Sequence, residues 1–220
     1  LAYRPGLERE IAAAGARWFC VETHGLLHAA TRPHYGTFAP VACPNGVAAF
    51  ARDPDLARRV WDARLGYPGD PWYREYHRDI GHELPPDALG ALAAPPGARG
   101  PTGIKYHRVT GREGDKRPYD PARAAEKVRE HAADFLRRAA ERCAAAAGAM
   151  DRPPLVTTPF DAELFGHWWH EGPAWIDEVA RLAAGSGVVE MISPADYLER
   201  HPRLQRSEER RVGKECRSRW

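Results

Sequence analysis

Residues 160–173 read Phe160-Asp161-Ala162-Glu163-Leu164-Phe165-Gly166-His167-Trp168-Trp169-His170-Glu171-Gly172-Pro173, which gathers carboxylates, two histidines and two tryptophans behind an apolar run. Core packing alone does not need that mixture. A carboxyl group at a strand tip beside apolar aromatics can have its pKa raised by desolvation, as a general acid requires. Aromatic faces next to carboxylates are what sugar sites present. Two plainer readings stand beside this one. In the first, Asp161 caps the following turn, Glu163 and Glu171 are solvated, and Trp168 and Trp169 are core. In the second, His167 and His170, at i and i+3, share a helical face and bind a metal with Glu163 or Asp161; the nearby Gly and Pro argue against a regular helix there.

A second cluster, Thr23-His24-Gly25-Leu26-Leu27-His28, follows another apolar run, which places His24 at a strand end on the same rim as Asp161, or leaves it merely hydrogen-bonded. No Ser or Cys sits in a GxSxG-like setting, so acyl transfer has little support. No GxGxxG or GxxxxGK[ST] supports nucleotide binding.

The elements that must position these residues alternate. Leu7 to Ala14 is helical and stopped by Gly15, and Trp18-Phe19-Cys20-Val21 is a buried strand. A long loop then leads to a helix with Asp53 as N-cap, Pro54 at its first position, and Leu56, Val60 and Trp61 on its apolar face. Residues 66–71 form a turn-rich stop, and Leu84 to Gly103 a surface connection. Asp120-Pro121 starts the strongest helix, with Ala125, Val128, Ala132, Phe135, Leu136 and Ala139 at helical spacing to about Met150. Leu155 to Phe160 and Val188 to Ile192 read as strands buried on both faces. Between them Trp175 to Ala184 is helical, and Ser193 caps a further helix. Such alternation predicts an α/β fold with a parallel sheet, either doubly wound or an incomplete barrel, whose chemistry gathers beyond the strand C-termini.

Composition bounds the class. The 220 residues are 43% apolar, 28% charged and 10% aromatic, which excludes a disordered or fibrous chain. No window approaches a membrane span and no signal peptide opens the chain. Cys20, Cys43, Cys143 and Cys216 are widely separated, which fits reduced thiols in a cytoplasm and gives no sign of a metal site. The formal charge of +2 comes from residues 206–220, which hold six Arg or Lys against three Glu; the other 205 residues carry 26 basic and 27 acidic side chains. That body offers no reason to expect nucleic-acid or membrane partners. The tail lacks apolar periodicity and resembles a translated sequencing-adaptor oligonucleotide, a non-native extension, the alternative being a basic nucleic-acid arm. The chain opens at Leu1 without Met and reads as the inside of a domain, so an N-terminal portion is expected to precede it.

Five segments taken together resemble one family. Tyr3-Arg4-Pro5-Gly6-Leu7, Thr23-His24-Gly25, Gly66-Tyr67-Pro68-Gly69-Asp70, Tyr73-Arg74-Glu75 and the nine-residue run from Asp161 to Trp169 are similar, in order, to glycoside hydrolase family 57, and within it to the 1,4-α-glucan branching members. The resemblance covers about Leu1 to Leu204. It implies that residues 1–205 are part of an incomplete (β/α)7 barrel, the C-terminal part of a catalytic barrel, acting on α-glucan in glycogen metabolism with no cofactor and no metal.

The resemblance also implies roles. Asp161 matches the general acid/base of a retaining, two-step transfer from an α-1,4 linkage to a 6-hydroxyl. The family nucleophile, a Glu in a Trp-x-Pro-Glu motif, would directly precede Leu1, so the chain alone is expected to be inactive. Tyr35 falls where branching members carry a tyrosine on a mobile loop that favours a sugar acceptor over water; as a residue it is equally an ordinary turn tyrosine. Arg52 and Trp61 match positions on the donor side of the cleft, with His24, Trp168 and Trp169 as further substrate contacts. The plain alternatives are a solvated charge for Arg52 and a core position for Trp61. Family amylases and 4-α-glucanotransferases, a non-catalytic glucan-binding module and a metal-dependent deacetylase-like barrel are the competing functions.

Overall fold

The structure is a computed structural model, and it describes residues 3–29, 32–92, 99–111 and 115–206. In chain order the elements are α1 (Leu7–Ala13), β1 (Trp18–Val21), α2 (Thr23–Leu27), β2 (Val41–Ala42), β3 (Ala48–Ala51), α3 (Pro54–Trp61), α4 (Ile80–Glu83), α5 (Pro86–Leu89), α6 (Pro121–Ala147), α7 (Gly172–Ser186), α8 (Pro194–Arg200) and β4 (Gln205–Arg206). The chain divides into two compact units: one of Leu1–Ala57, Arg138–Pro159 and Val189–Trp220, the other of Arg58–Arg137 and Phe160–Val188.

The first unit is built on a four-stranded sheet in the order β1-β3-β2-β4. β1 runs parallel to β3 with Trp18 opposite Ala48, β2 is antiparallel to β3, and β4 is parallel to β2. Alternation along β3 serves both faces: Ala48 and Phe50 pack with Tyr197, while Ala49 and Ala51 pack with Val21, Leu26 and Val41. All four β3 residues are buried. Asp53 starts α3 as expected, its Oδ1 accepting the Asp55 and Leu56 N–H groups at 3.1 and 3.0 Å. The Arg142 guanidinium holds the same carboxyl, at 2.6 Å, and Asp55 with it. Ser193 caps α8 through Oγ, which accepts the Asp196 N–H at 3.1 Å.

Several expectations need correction here. The supposed long loop between β1 and α3 contains α2, β2 and β3. Because β2 runs against β3, the sheet is mixed rather than parallel. Leu155 to Phe160 contributes a single parallel bridge, Arg52 to Thr157, and is only half-buried. Val188 to Ile192 forms no strand: Val188 is 77% and Met191 58% exposed. The tail beginning at Arg206 contributes that residue to β4, and 207–220, Cys216 included, lie outside the described residues.

The second unit is held by rings. Trp175 on α7 meets Phe135 of α6 edge-on at 5.0 Å, Trp169 at 5.4 Å and Phe165 in parallel at 6.2 Å. Tyr67 stacks on His131 at 4.6 Å, and the Tyr73 hydroxyl meets His131 Nδ1 at 2.8 Å. Burial, opposed by Asp70, lowers the His131 pKa. α6 buries Ala124, Val128, Ala132, Phe135, Leu136 and Ala139; Ala124 takes the place expected for Ala125. Asp120 caps α6 through Oδ1. Within the 84–103 connection, α5 buries Leu89, and the Thr102 N–H donates to Asp79 Oδ1 at 3.0 Å.

Candidate active site

Asp161 enters a 3-10 turn, Ala162–Leu164, through its backbone: its carbonyl accepts the Leu164 N–H at 3.1 Å, whereas its carboxyl makes no capping hydrogen bond and is exposed. The capping explanation for this carboxylate is therefore not what the structure shows. The following residues turn back on themselves: Gly166 N–H donates to the Trp169 carbonyl at 2.8 Å and Trp169 N–H to the Leu164 carbonyl at 2.9 Å. This turn separates the two neighbouring indoles. Trp169 is driven inward to 2% exposure, against Tyr73 and Trp175, while Trp168 stands 46% exposed. Gly172 lets α7 start against this turn, because a Cβ there would meet Phe165 Cδ1 at 2.9 Å.

Trp168 opens onto a cavity of about 900 Å³ within the second unit, whose wall includes Trp61, Arg74, Tyr76, Lys116, Glu163 and the edge of Trp169. Tyr76 lies 4.5 Å from Trp168, the rings tilted by 36°, and the Lys105 ammonium sits 3.8 Å from the Tyr76 ring. The Trp168 indole N–H donates to Glu163 Oε1 at 3.3 Å, which fixes the exposed ring. Trp61, at the end of α3, is 37% exposed and belongs to the cavity wall rather than to the core. Lys116 pairs with Glu75 on the same wall. Two aromatic platforms flanked by charged donors and acceptors form a surface suited to a polyhydroxylated ligand.

Glu171, one of the carboxylates set down as solvated in the plain reading, is instead 5% exposed and accepts the Arg74 N–H at 3.0 Å. Burial, followed by a hydrogen bond to Glu171, pushes the Tyr119 hydroxyl up. Burial and then Arg74 lower the His170 pKa. Glu171 thus holds the strip carrying Arg74 against the start of α7. His167 and His170 do not share a helical face, because residues 165–171 are turns around a Phe165–Trp169 bridge rather than helix. His167 Nε2 faces the Tyr76 hydroxyl at 3.4 Å, and among the described residues no group of three His, Cys, Asp or Glu is placed to hold a metal.

In the first unit, His24 lies in the first turn of α2, exposed. Arg52 follows β3 and pairs with Glu22, which follows β1, at 3.1 Å, with only 18% of its side chain exposed; it is not a solvated charge. The Thr23 hydroxyl donates to the Arg52 carbonyl at 2.6 Å, binding the C-terminal ends of the two parallel strands. Tyr35 is half-buried in a turn, with the Arg152 guanidinium 5.6 Å from its ring. The three tryptophans thus share one cavity, Asp161 lies two residues before its Glu163, and His24, Tyr35 and Arg52 belong to the other unit. Tyr76 is a participant that the sequence reading did not single out; it directly follows the Tyr73-Arg74-Glu75 segment, which was the signal available for it.

The sequence profile of glycosyl hydrolase family 57 matches residues 1–208. The chain belongs to glycosyl hydrolase family 57. Relatives within and around this family include a probable 1,4-α-glucan branching enzyme of Mycobacterium tuberculosis, 38% identical over 190 residues, covering 85% of this chain and 31% of the relative. A 1,4-α-glucan branching enzyme of Thermococcus kodakarensis is 33% identical over 84% of this chain and 27% of its own length. Among crystal structures, the α-amylase AmyC of Thermotoga maritima is similar with a TM-score of 0.86 at 38% identity, covering 93% of this chain and 40% of the amylase. The branching enzyme of Pyrococcus horikoshii gives 0.73 at 34% identity, over 93% and 34% of the two chains. This family 57 chain therefore spans about a third of the length of the curated relatives it matches. No helix among its described residues is long and apolar enough to cross a membrane.

Proposed function

We propose that the protein carrying this family 57 chain is a retaining 1,4-α-glucan branching enzyme of the cytoplasm, acting without cofactor, and that residues 1–205 are part of its incomplete (β/α)7 barrel. The observation that carries the reading is the Asp161 to Trp169 turn, which leaves the Asp161 carboxyl exposed and uncapped and sets Trp168 and Tyr76 on a cavity wall suited to sugar rings. Asp161 protonates the departing glycosidic oxygen and afterwards takes the proton of the incoming 6-hydroxyl. Retaining chemistry requires a second carboxylate about 5–5.5 Å away. Trp61 and Trp168 contact substrate, with Trp169 buried behind Trp168 as its support; His24 and Arg52 are further substrate-binding residues, and Tyr35 guards the acceptor side.

The names of the Mycobacterium and Thermococcus relatives favour transfer. Likeness to AmyC favours a second reading, hydrolysis or α-1,4 transfer on the same scaffold. Amylose incubated with the full-length protein distinguishes them: new α-1,6 linkages, lost in Asp161→Asn, support branching, whereas reducing ends without α-1,6 linkages support the amylase. Glycogen retention without any turnover by the full-length protein would point to a binding module.

A further inference from the structure

Gln205 is a buried polar side chain, 9% exposed, on a strand of two residues. Its Oε1 accepts the Tyr35 N–H at 2.9 Å, and its Nε2 donates to the Ala39 carbonyl at 2.6 Å and at longer range, 3.4 Å, to that of Gly36. One amide thus ties three backbone groups of the turn that carries Tyr35. The turn closes on itself through Gly36 N–H to the Pro33 carbonyl and Phe38 N–H to the Tyr35 carbonyl, and is fixed beyond by Leu155 N–H to the Phe38 carbonyl. The tyrosine ring meets His34 edge-on at 4.7 Å and lies against Arg152, which Asp151 holds at 2.7 Å. A leucine at 205 would fill the same volume but strand the Tyr35 N–H and the Ala39 carbonyl, so apolar packing does not account for an amide here.

We propose that Gln205 is a positioning residue for Tyr35: by fixing the backbone of 35–39 it sets where the ring stands, and thereby the share of glucan passed to a sugar hydroxyl rather than to water. The claim rests on the branching reading, in which the Tyr35 loop governs that partition. Gln205 touches no substrate and acts only through the loop.

The test uses the full-length protein with Gln205→Leu and Gln205→Glu, the glutamate keeping an oxygen for the Tyr35 N–H. Amide exchange at Tyr35 and the ratio of α-1,6 linkages to new reducing ends are read together. Gln205→Leu is expected to speed Tyr35 exchange at least tenfold, leave the amides of α6 unchanged, and lower the linkage ratio at least threefold with KM for amylose within twofold. Gln205→Glu, which keeps the acceptor for the Tyr35 N–H but turns an oxygen toward the Ala39 and Gly36 carbonyls, is expected to fall between wild type and Gln205→Leu in both readings. Should the leucine variant fail to fold, Gln205→Asn, one methylene shorter, is expected to shift both readings in the leucine direction by at least threefold. Unchanged Tyr35 exchange, or faster exchange spread equally over α6, overturns the clamp. A freed loop with an unchanged ratio overturns its role in partition. A wild-type protein that forms no α-1,6 linkages removes the branching reading itself, and is recognised separately because the exchange result does not depend on it.

Discussion

Trp168 and Trp169 are adjacent in sequence and opposite in fate, so truncating each reads out a different property. Trp169, at 2% exposure, packs against Tyr73, Phe165 and Trp175. Trp169→Ala is expected to cost about 3–5 kcal/mol, the usual range for a large aromatic removed from a core, seen as a lowered denaturant midpoint. Trp168→Ala removes an exposed platform; it is expected to weaken amylose binding about tenfold, roughly 1.4 kcal/mol, with little change in stability. Equal losses of stability in the two variants would contradict this division. At Asp161 the test is kinetic: Asp161→Asn in the full-length protein is expected to lower the transfer rate by about 10²–10⁴-fold, the range for a positioned general acid/base, with amylose binding retained. A rate within tenfold of wild type would remove Asp161 from the chemistry.

The short helix α4 depends on one carboxylate. Asp79, 5% exposed, accepts the N–H groups of Gly81, Thr102 and Gly103 and the Thr102 hydroxyl at 2.8–3.0 Å. Burial alone would raise its pKa; these hydrogen bonds outweigh burial and hold it at about 2, against an ordinary value of 3.8. A carboxylate depressed in the folded state stabilises above its unfolded pKa and loses that contribution as the pH falls through its folded value. Asp79→Asn is therefore expected to cost about 2 kcal/mol at pH 7, with the gap to wild type closing between about pH 4 and pH 2 in paired denaturation curves. A gap that stays constant to pH 2 would show that the charge is not what the knot uses. The same scale shows what sequence can and cannot reveal. Asp53, Asp120 and Ser193 announced their helices because a cap is a local hydrogen bond made by the residue itself. β3 was missed because Ala48-Ala49-Phe50-Ala51 has little strand propensity and is extended only by pairing with β1 and β2. Val188 to Ile192 misled for the converse reason: β-branched apolar residues suit a strand, yet no described strand pairs with them; Val188 and Met191 stay exposed, and Ile192 packs beside Phe50 and Tyr197 as a loop residue. Of the site, the Asp161 to Trp169 run was legible as local chemistry, whereas the Glu22 to Arg52 pair and the Gln205 clamp join residues 30 and 170 positions apart and have no local signature.

At the scale of the whole molecule, several apolar side chains among the described residues are exposed: Leu65 at 79%, Val188 at 77%, Met191 at 58% and Leu92 at 51%. β1 is an edge of the described sheet, and Trp18 on it is 38% exposed. With a formal charge of only +2, little repulsion opposes pairing of such edges. The 220-residue chain is expected to self-associate between about 1 and 100 µM in sedimentation velocity, a range in which weak edge contacts become populated, and Trp18→Lys is expected to reduce the effect. A single monomeric boundary throughout that range would contradict it.

The Asp79 knot has a further consequence for how this region can change over generations. It joins residues 79–81 to 102–104, and Gly81 approaches the Gly100 carbonyl so closely that a Cβ would come within 1.9 Å of it. The two ends of the intervening stretch are therefore fastened independently of its length. Doubling such a stretch costs only about 0.6 kcal/mol in closure entropy. Descendants of this sequence keep 79–81 fastened to 102–103 only while position 79 retains an acceptor for these N–H groups and position 81 stays glycine.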